Sequence, residues 1–188
     1  MAAALRALTI LTGAAALWAQ SQPAQQPAGM LTPWEIAPVL QEISGHGARL
    51  ADALGRINVR SWIDHGAPDA YLEQWQSATE QAKALAETAG ALARAPEKLS
   101  AGLDVLFRIQ ALEIMLGSLE QGMRKYQNPA DAEALAALAA QNGVNRSRLE
   151  RYLVNLAADQ ERQLRVMDSE AQRCRALLIA PSQPSRKR

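Results

Sequence analysis

Apolar or small residues recur at alternating steps of four and three along four separate stretches of this chain. No other feature restricts its fold as much, because that spacing lays one continuous stripe along an α-helix. The first stripe is Ile36, Leu40, Ile43, Gly47, Leu50, Leu54 and Ile57, and the second is Tyr71, Trp75, Ala78, Ala82, Leu85, Ala89 and Leu92. The third is Val105, Ile109, Leu112, Leu116, Leu119, Met123 and Tyr126. The fourth runs Leu149, Leu153, Leu156, Gln160, Leu164, Met167, Ala171, Cys174 and Leu178, with a step of four at Gln160–Leu164 where three was due. Such a stutter locally unwinds a coiled coil.

Punctuation between the stripes agrees with them. Thr32-Pro33-Trp34-Glu35 combines an N-cap, a proline at the first helical position and a capping box. Ser61-Trp62-Ile63-Asp64 reads as a fresh cap opening a short turn that His65-Gly66-Ala67-Pro68 closes, and Pro68 opens the second helix. Pro96 or Glu97 starts the third. Asn128-Pro129-Ala130-Asp131 ends it and caps a short helix to about Gln141; Asn142-Gly143 stops that one, and Asn145 is expected to cap the last. The prediction is an all-α fold from residue 32 to 180. Its architecture is an antiparallel up-down-up-down bundle of four long amphipathic helices plus one short connecting helix. Alanine supports it, contributing 38 of 188 residues, since it is the best helix former and a poor strand former. The third helix also carries Leu103, Leu106, Phe107, Ile114 and Met115 outside its stripe, so it is expected to be central and the most covered. Alanine at three of the seven stripe positions of the second helix allows a close approach there.

The flanks read differently. Residues 1–21, MAAALRALTILTGAAALWAQS, have a short basic start at Arg6, an apolar run from Ala7 to Ala19 and small residues near Ser21. That run spans about 20 Å as a helix, short of the roughly 30 Å hydrocarbon core. It reads as a cleaved signal peptide, cut after Ala19 or Ser21, leaving no permanent membrane span. Residues 22–31 form a Gln- and Pro-rich linker and 181–188 a basic tail ending Arg186-Lys187-Arg188, both expected to be disordered. The expected location is periplasmic or extracellular.

Charge and residue counts narrow the chemistry. Lys+Arg total 20 and Asp+Glu 19, so no field favours nucleic acid. Two His and one Cys leave no cysteine zinc site and no disulfide framework. Cys174 sits on the fourth stripe, where a buried free thiol is expected. Glu42 and His46 stand four apart, a spacing that can hold a metal. No second His pair supports it, so an exposed histidine beside two glycines is expected instead. Haem held by His and Met is disfavoured because Met30, Met115, Met123 and Met167 read as packing residues. No phosphate loop, nucleophile elbow or paired carboxylates are present. No enzyme, cofactor or metal is expected.

Two clusters stand out from this background. Arg108, Gln110 and Glu113 interrupt the third helix, and Gln160 occupies a stripe position. Gln110 facing Gln160 would form a buried layer that fixes register, in which case Gln160→Leu raises thermal stability. The bundle topology also gathers Trp62, Tyr71, Trp75, Arg124, Lys125 and Tyr126 at one end, with Arg146, Arg148, Arg151 and Tyr152 joining if the short helix stays there. Aromatic and cationic residues of this kind suit a recognition surface, and equally the closing of a core. The functional expectation is an exported, non-catalytic bundle that binds another protein or an envelope component, as a scaffold or chaperone-like factor in the cell envelope; a stripe that faces outward would also support a homodimer. The alternative expectation is a periplasmic carrier or sensor holding a small ligand inside the bundle.

Overall fold

The computed structural model describes residues 31–179, of which 86% are helical, with none in a strand. The signal peptide, nearly all of the linker and the basic tail lie outside the described residues. The elements are α1 (Pro33–Leu54), α2 (Val59–Asp64), α3 (Ala70–Leu92), α4 (Leu99–Tyr126), α5 (Pro129–Ala140) and α6 (Gly143–Ile179). The all-α antiparallel bundle expected from the stripes is the fold observed.

Helix α1 opens as its sequence dictates. The Glu35 carboxylate accepts from the Thr32 amide at 2.8 Å and from the Thr32 hydroxyl at 2.6 Å, and Pro33 occupies the first turn. Those two hydrogen bonds hold the Glu35 carboxyl below the ordinary carboxylate range. Helix α2 is capped by Asn58, three residues before the expected Ser61. Helix α6 starts at Gly143, with the Arg146 amide donating to the Asn142 carbonyl, so Asn145 is already inside the helix.

Around the bundle, α1 packs on α3, α3 on α4, α4 on α5 and α6, and α6 returns to α1. The stripes of α1, α3 and α4 supply the core, from Ile36, Leu40 and Ile43 through Ala78, Ala82 and Leu85 to Val105, Leu112 and Leu119. One end, called upper here, holds the start of α1, the α3–α4 turn and the middle of α6. The other, lower end holds α2, the start of α3 and the end of α4. Helix α5 rises from the lower end along α4 to half height, where Ala139 and Asn142 border the same small cavity as His46 and Glu113. Helix α6 continues upward from that point, so the connecting helix and the first half of α6 together fill the fourth wall.

The close approach expected of α3 is present. A Cβ on Gly47 would come within 2.9 Å of both the Ala82 carbonyl oxygen and the Ala86 amide nitrogen, and the Ser44 hydroxyl donates to the Ala86 carbonyl at 2.6 Å. Helix α4, in contrast, is not covered all round. Its stripe is buried, but Leu103, Phe107 and Ile114 face solvent, because its neighbours occupy only the sides toward α3 and toward α5 and α6.

The fourth stripe is divided. Leu149 and Leu153 are buried, whereas every residue from Glu161 to Leu178 is exposed. Cys174 is therefore an exposed thiol, not the buried one expected. Helix periodicity specifies which face is apolar but not how far a partner extends along it. Here the bundle ends near Gln160, whose amide donates to the Glu97 carbonyl at 3.4 Å. The remaining 19 residues of α6 run on for about 28 Å.

Candidate functional site

Three regions combine chemistry with position: the aromatic lower end, a buried polar cluster at mid-height and the free half of α6.

At the lower end the structure brings together four of the six expected residues. Trp62 and Tyr71 meet edge to face at 5.8 Å between centroids, and Tyr71 meets Tyr126 in the same way at 6.1 Å. The Lys125 ammonium lies 4.8 Å from the Tyr126 centroid. Gly122 makes room, since a Cβ there would stand 2.9 Å from Tyr71 and 3.0 Å from Trp62. Trp75 sits apart, its indole N–H donating to the Leu54 carbonyl at 2.8 Å and tying α3 to the end of α1. Arg124 is held by Glu120 at 2.8 Å and approaches Glu133 at 3.5 Å, and the Glu120 hydrogen bond keeps its proton more firmly bound. Trp62 is 0% exposed and its indole N–H donates to Gln127 Oε1 at 3.0 Å, so a partner could not reach it. Trp62 closes the core here, Tyr71, Trp75 and Tyr126 are half-buried against it, and Arg124 and Lys125 are exposed. Arg146, Arg148, Arg151 and Tyr152 do not join it. Arg146 pairs with Glu113 at mid-height, and the Tyr152 hydroxyl donates to the Pro96 carbonyl at 2.9 Å at the upper end.

The mid-height cluster was not foreseen. His46, expected to be exposed beside two glycines, is 3% exposed, while Glu42 faces solvent, so the two diverge. The reason is the glycine itself: Gly47 lets α3 come so close that its neighbour is covered. His46 Nδ1 and Asn142 Oδ1 are both buried without a hydrogen-bond partner. They border a cavity of about 10 Å³, together with Glu113, Leu50, Leu85 and Leu116. That volume suits about one water molecule, which could bridge such groups. Burial, with a smaller contribution from the nearby Arg49 charge, lowers the His46 pKa and keeps the ring neutral. Arg146 reaches Glu113 at 2.6 Å beside this cluster. The expected Gln110–Gln160 layer does not form: Gln110 is exposed on α4 and Gln160 bonds the α3–α4 turn.

On the free half of α6, Leu164 and Met167 are each 63% exposed and Leu178 is 86% exposed. Their heptad was legible in the sequence; their exposure was not. No described helix is long and apolar enough to cross a membrane. No protein-family model, curated protein or solved structure matches this chain, so its own geometry carries the functional argument.

Proposed function

We propose that this chain is an exported, non-catalytic helical bundle that works by binding another protein, as a scaffold or chaperone-like factor of the cell envelope. The observation that carries this reading is the free half of α6. A helix exposed on all sides need only be polar, yet this one keeps Leu164, Met167, Ala171, Cys174 and Leu178 at heptad spacing. An apolar stripe of that kind is the seam of a helix that packs on another. Export follows from the signal-like residues 1–21. A carrier holding a small ligand inside the bundle is less well supported, because ligand sites measure roughly 300–1,000 Å³. The buried polar cavity here is about 10 Å³, and the clefts that reach that size, about 330 Å³ beside Ile57 and Leu135 and about 340 Å³ beside Tyr152 and Gln160, lie at the surface and not inside the bundle.

Native mass spectrometry of the protein recovered from its host's exported fraction tests both parts. A mass beginning at residue 20 or 22, bound to a protein through a surface that Leu164→Glu with Met167→Lys abolishes, is the expected result. The bundle's melting temperature should stay within about 2 °C in that variant, since both sites are exposed. A mass beginning at Met1 overturns export. A stable small-molecule adduct, or binding indifferent to the α6 substitutions, overturns the interaction reading.

A further inference from the structure

The stripe on the free half of α6 also states which way round a partner must lie. Leu149, Leu153, Leu156 and Gln160 form the face that packs toward the bundle, with Leu149 and Leu153 in the core. At 3.6 residues per turn, Leu164, Met167, Ala171, Cys174 and Leu178 spread over about 80° around the helix, and their mean direction lies within about 10° of that face. The free stripe therefore looks over the upper end of its own bundle. A parallel second helix on that face would have its own first half running down into the space filled by α1 and α4. An antiparallel one would not, because its bundle lies beyond the far end of α6.

Resting on the interaction reading above, we propose that the partner is a second copy of this chain, joined through the free halves of the two α6 helices packed antiparallel, with the two bundles at opposite ends. Charge selects the register. With Ala171 opposite Cys174 of the partner subunit and Met167 opposite Leu178 of the partner subunit, the flanking pair on one side is Asp168 with Arg175 of the partner subunit. Two-fold symmetry makes that pair occur twice. Sliding one heptad toward the bundles pairs Glu161 with Arg175 of the partner subunit but sets Asp168 against Asp168 of the partner subunit and Glu170 against Glu170 of the partner subunit. Sliding one heptad apart sets Arg175 against Arg175 of the partner subunit and loses core layers. Only the intermediate register is free of like-charge pairs, which oppose association. In that register Ile179, the last described residue of α6, lies about six residues, or roughly 9 Å, short of the other bundle. The bundles do not collide.

The same arrangement determines what Cys174 can do. The two Cys174 residues are offset by about three residues along the axis, roughly 4.5 Å, in addition to the separation of the helices. Their Cα atoms then lie close to the 7 Å limit for a disulfide, a poorer geometry than that of residues directly opposite each other. A cysteine at position 171 would instead face the partner's Cys174.

Sedimentation equilibrium of the purified full chain, with its Arg175→Glu variant and the exchanged Asp168→Arg/Arg175→Asp variant, tests the proposal. The expected result is a concentration-dependent dimer weakened about tenfold by Arg175→Glu and restored to within about threefold by the exchange. A mixture of the unaltered chain with an Ala171→Cys/Cys174→Ala variant, mildly oxidised, should give a covalent heterodimer in preference to either homodimer. Circular dichroism confirms that each variant keeps its bundle. A monomer at every concentration, a dimer indifferent to residues 168 and 175, or Cys174–Cys174 crosslinking in preference to the pair formed by residues 171 and 174 overturns the proposal. If a monomer's amides from 164 to 178 become protected in the exported fraction by another protein, self-association fails while the broader interaction reading survives.

Discussion

Gly47 of α1 rests directly on the backbone of Ala86 in α3: a Cβ at Gly47 would stand 2.9 Å from the Ala86 amide nitrogen and 3.2 Å from its Cα. Ser44, one turn earlier, donates its hydroxyl to the Ala86 carbonyl at 2.6 Å. The pair sets the separation of α1 and α3, and with it the burial of Ala78, Ala82 and Ala89, all 0% exposed.

Gly47→Ala should therefore destabilise the protein although alanine is the better helix former by about 1 kcal/mol. The clash is with backbone, which cannot rotate away, so the helices must separate, at a cost of about 1–3 kcal/mol or more. Gly45→Ala offers the contrast, because its nearest neighbour is the flexible Arg49 guanidinium at 3.5 Å. It should stabilise by up to about 1 kcal/mol. Urea denaturation of the two variants in parallel checks the opposite signs; equal effects would contradict the close crossing.

Ser44→Ala removes a part-buried bond and leaves the Ala86 carbonyl, already bonded within α3, with one partner fewer. A loss of about 0.5–1.5 kcal/mol is expected, with no change in the urea dependence. A larger loss would mean that the hydroxyl also orders the crossing around Gly90, where a Cβ would stand 3.2 Å from the Ser44 oxygen.

His46 makes stability depend on pH. Its folded-state pKa is lowered, chiefly by burial and secondarily by Arg49, so the unfolded chain binds its proton more readily. Its neutral form contributes fully above the unfolded value of about 6.5, and that stability is lost as pH falls below it. Glu113, beside the same cavity, is engaged by Arg146. The melting temperature should drop between about pH 7 and pH 5, and His46→Leu should flatten that part of the profile. A variant profile parallel to the unaltered one would place the titration elsewhere.

How much of this was legible depends on what periodicity encodes. Spacing places the stripe residues from Ile36 to Leu54, Ala78 to Leu92 and Val105 to Met123 in the core, and they lie in it. Spacing describes a face and leaves its occupant unspecified. Phe107 and Ile114 on α4, and Leu164 to Leu178 on α6, have the composition of buried residues and stand in solvent because no described element reaches them. His46 failed in the opposite direction. Two flanking glycines suggest exposure when read locally, but Gly47 is buried by a crossing that depends on Ala82 and Ala86, some forty residues away. The aromatic end was legible as a group, since Trp62, Tyr71 and Tyr126 follow from the up-down order of the helices. The position of Arg146 and Tyr152 was not, because it required knowing that α5 climbs to mid-height before α6 begins.

Tyr152 fastens the upper half of the fourth wall. Its hydroxyl donates to the Pro96 carbonyl at 2.9 Å in a buried site, and burial, reinforced by the Glu97 charge, raises its pKa. Next to it, Leu153 fills the space over Gly102, where a Cβ would overlap its Cδ2 atom. Tyr152→Phe keeps the ring packing and strips the Pro96 carbonyl of this donor, at an expected cost of about 1–3 kcal/mol. That loss should concentrate where the bond acts. Amides of α6 from Leu149 to Gln160 should exchange faster with solvent, while those of α1 and α3 at Gly47 and Ala86 change little. Uniform acceleration across all helices would instead show that α6 and the rest of the bundle open as one unit.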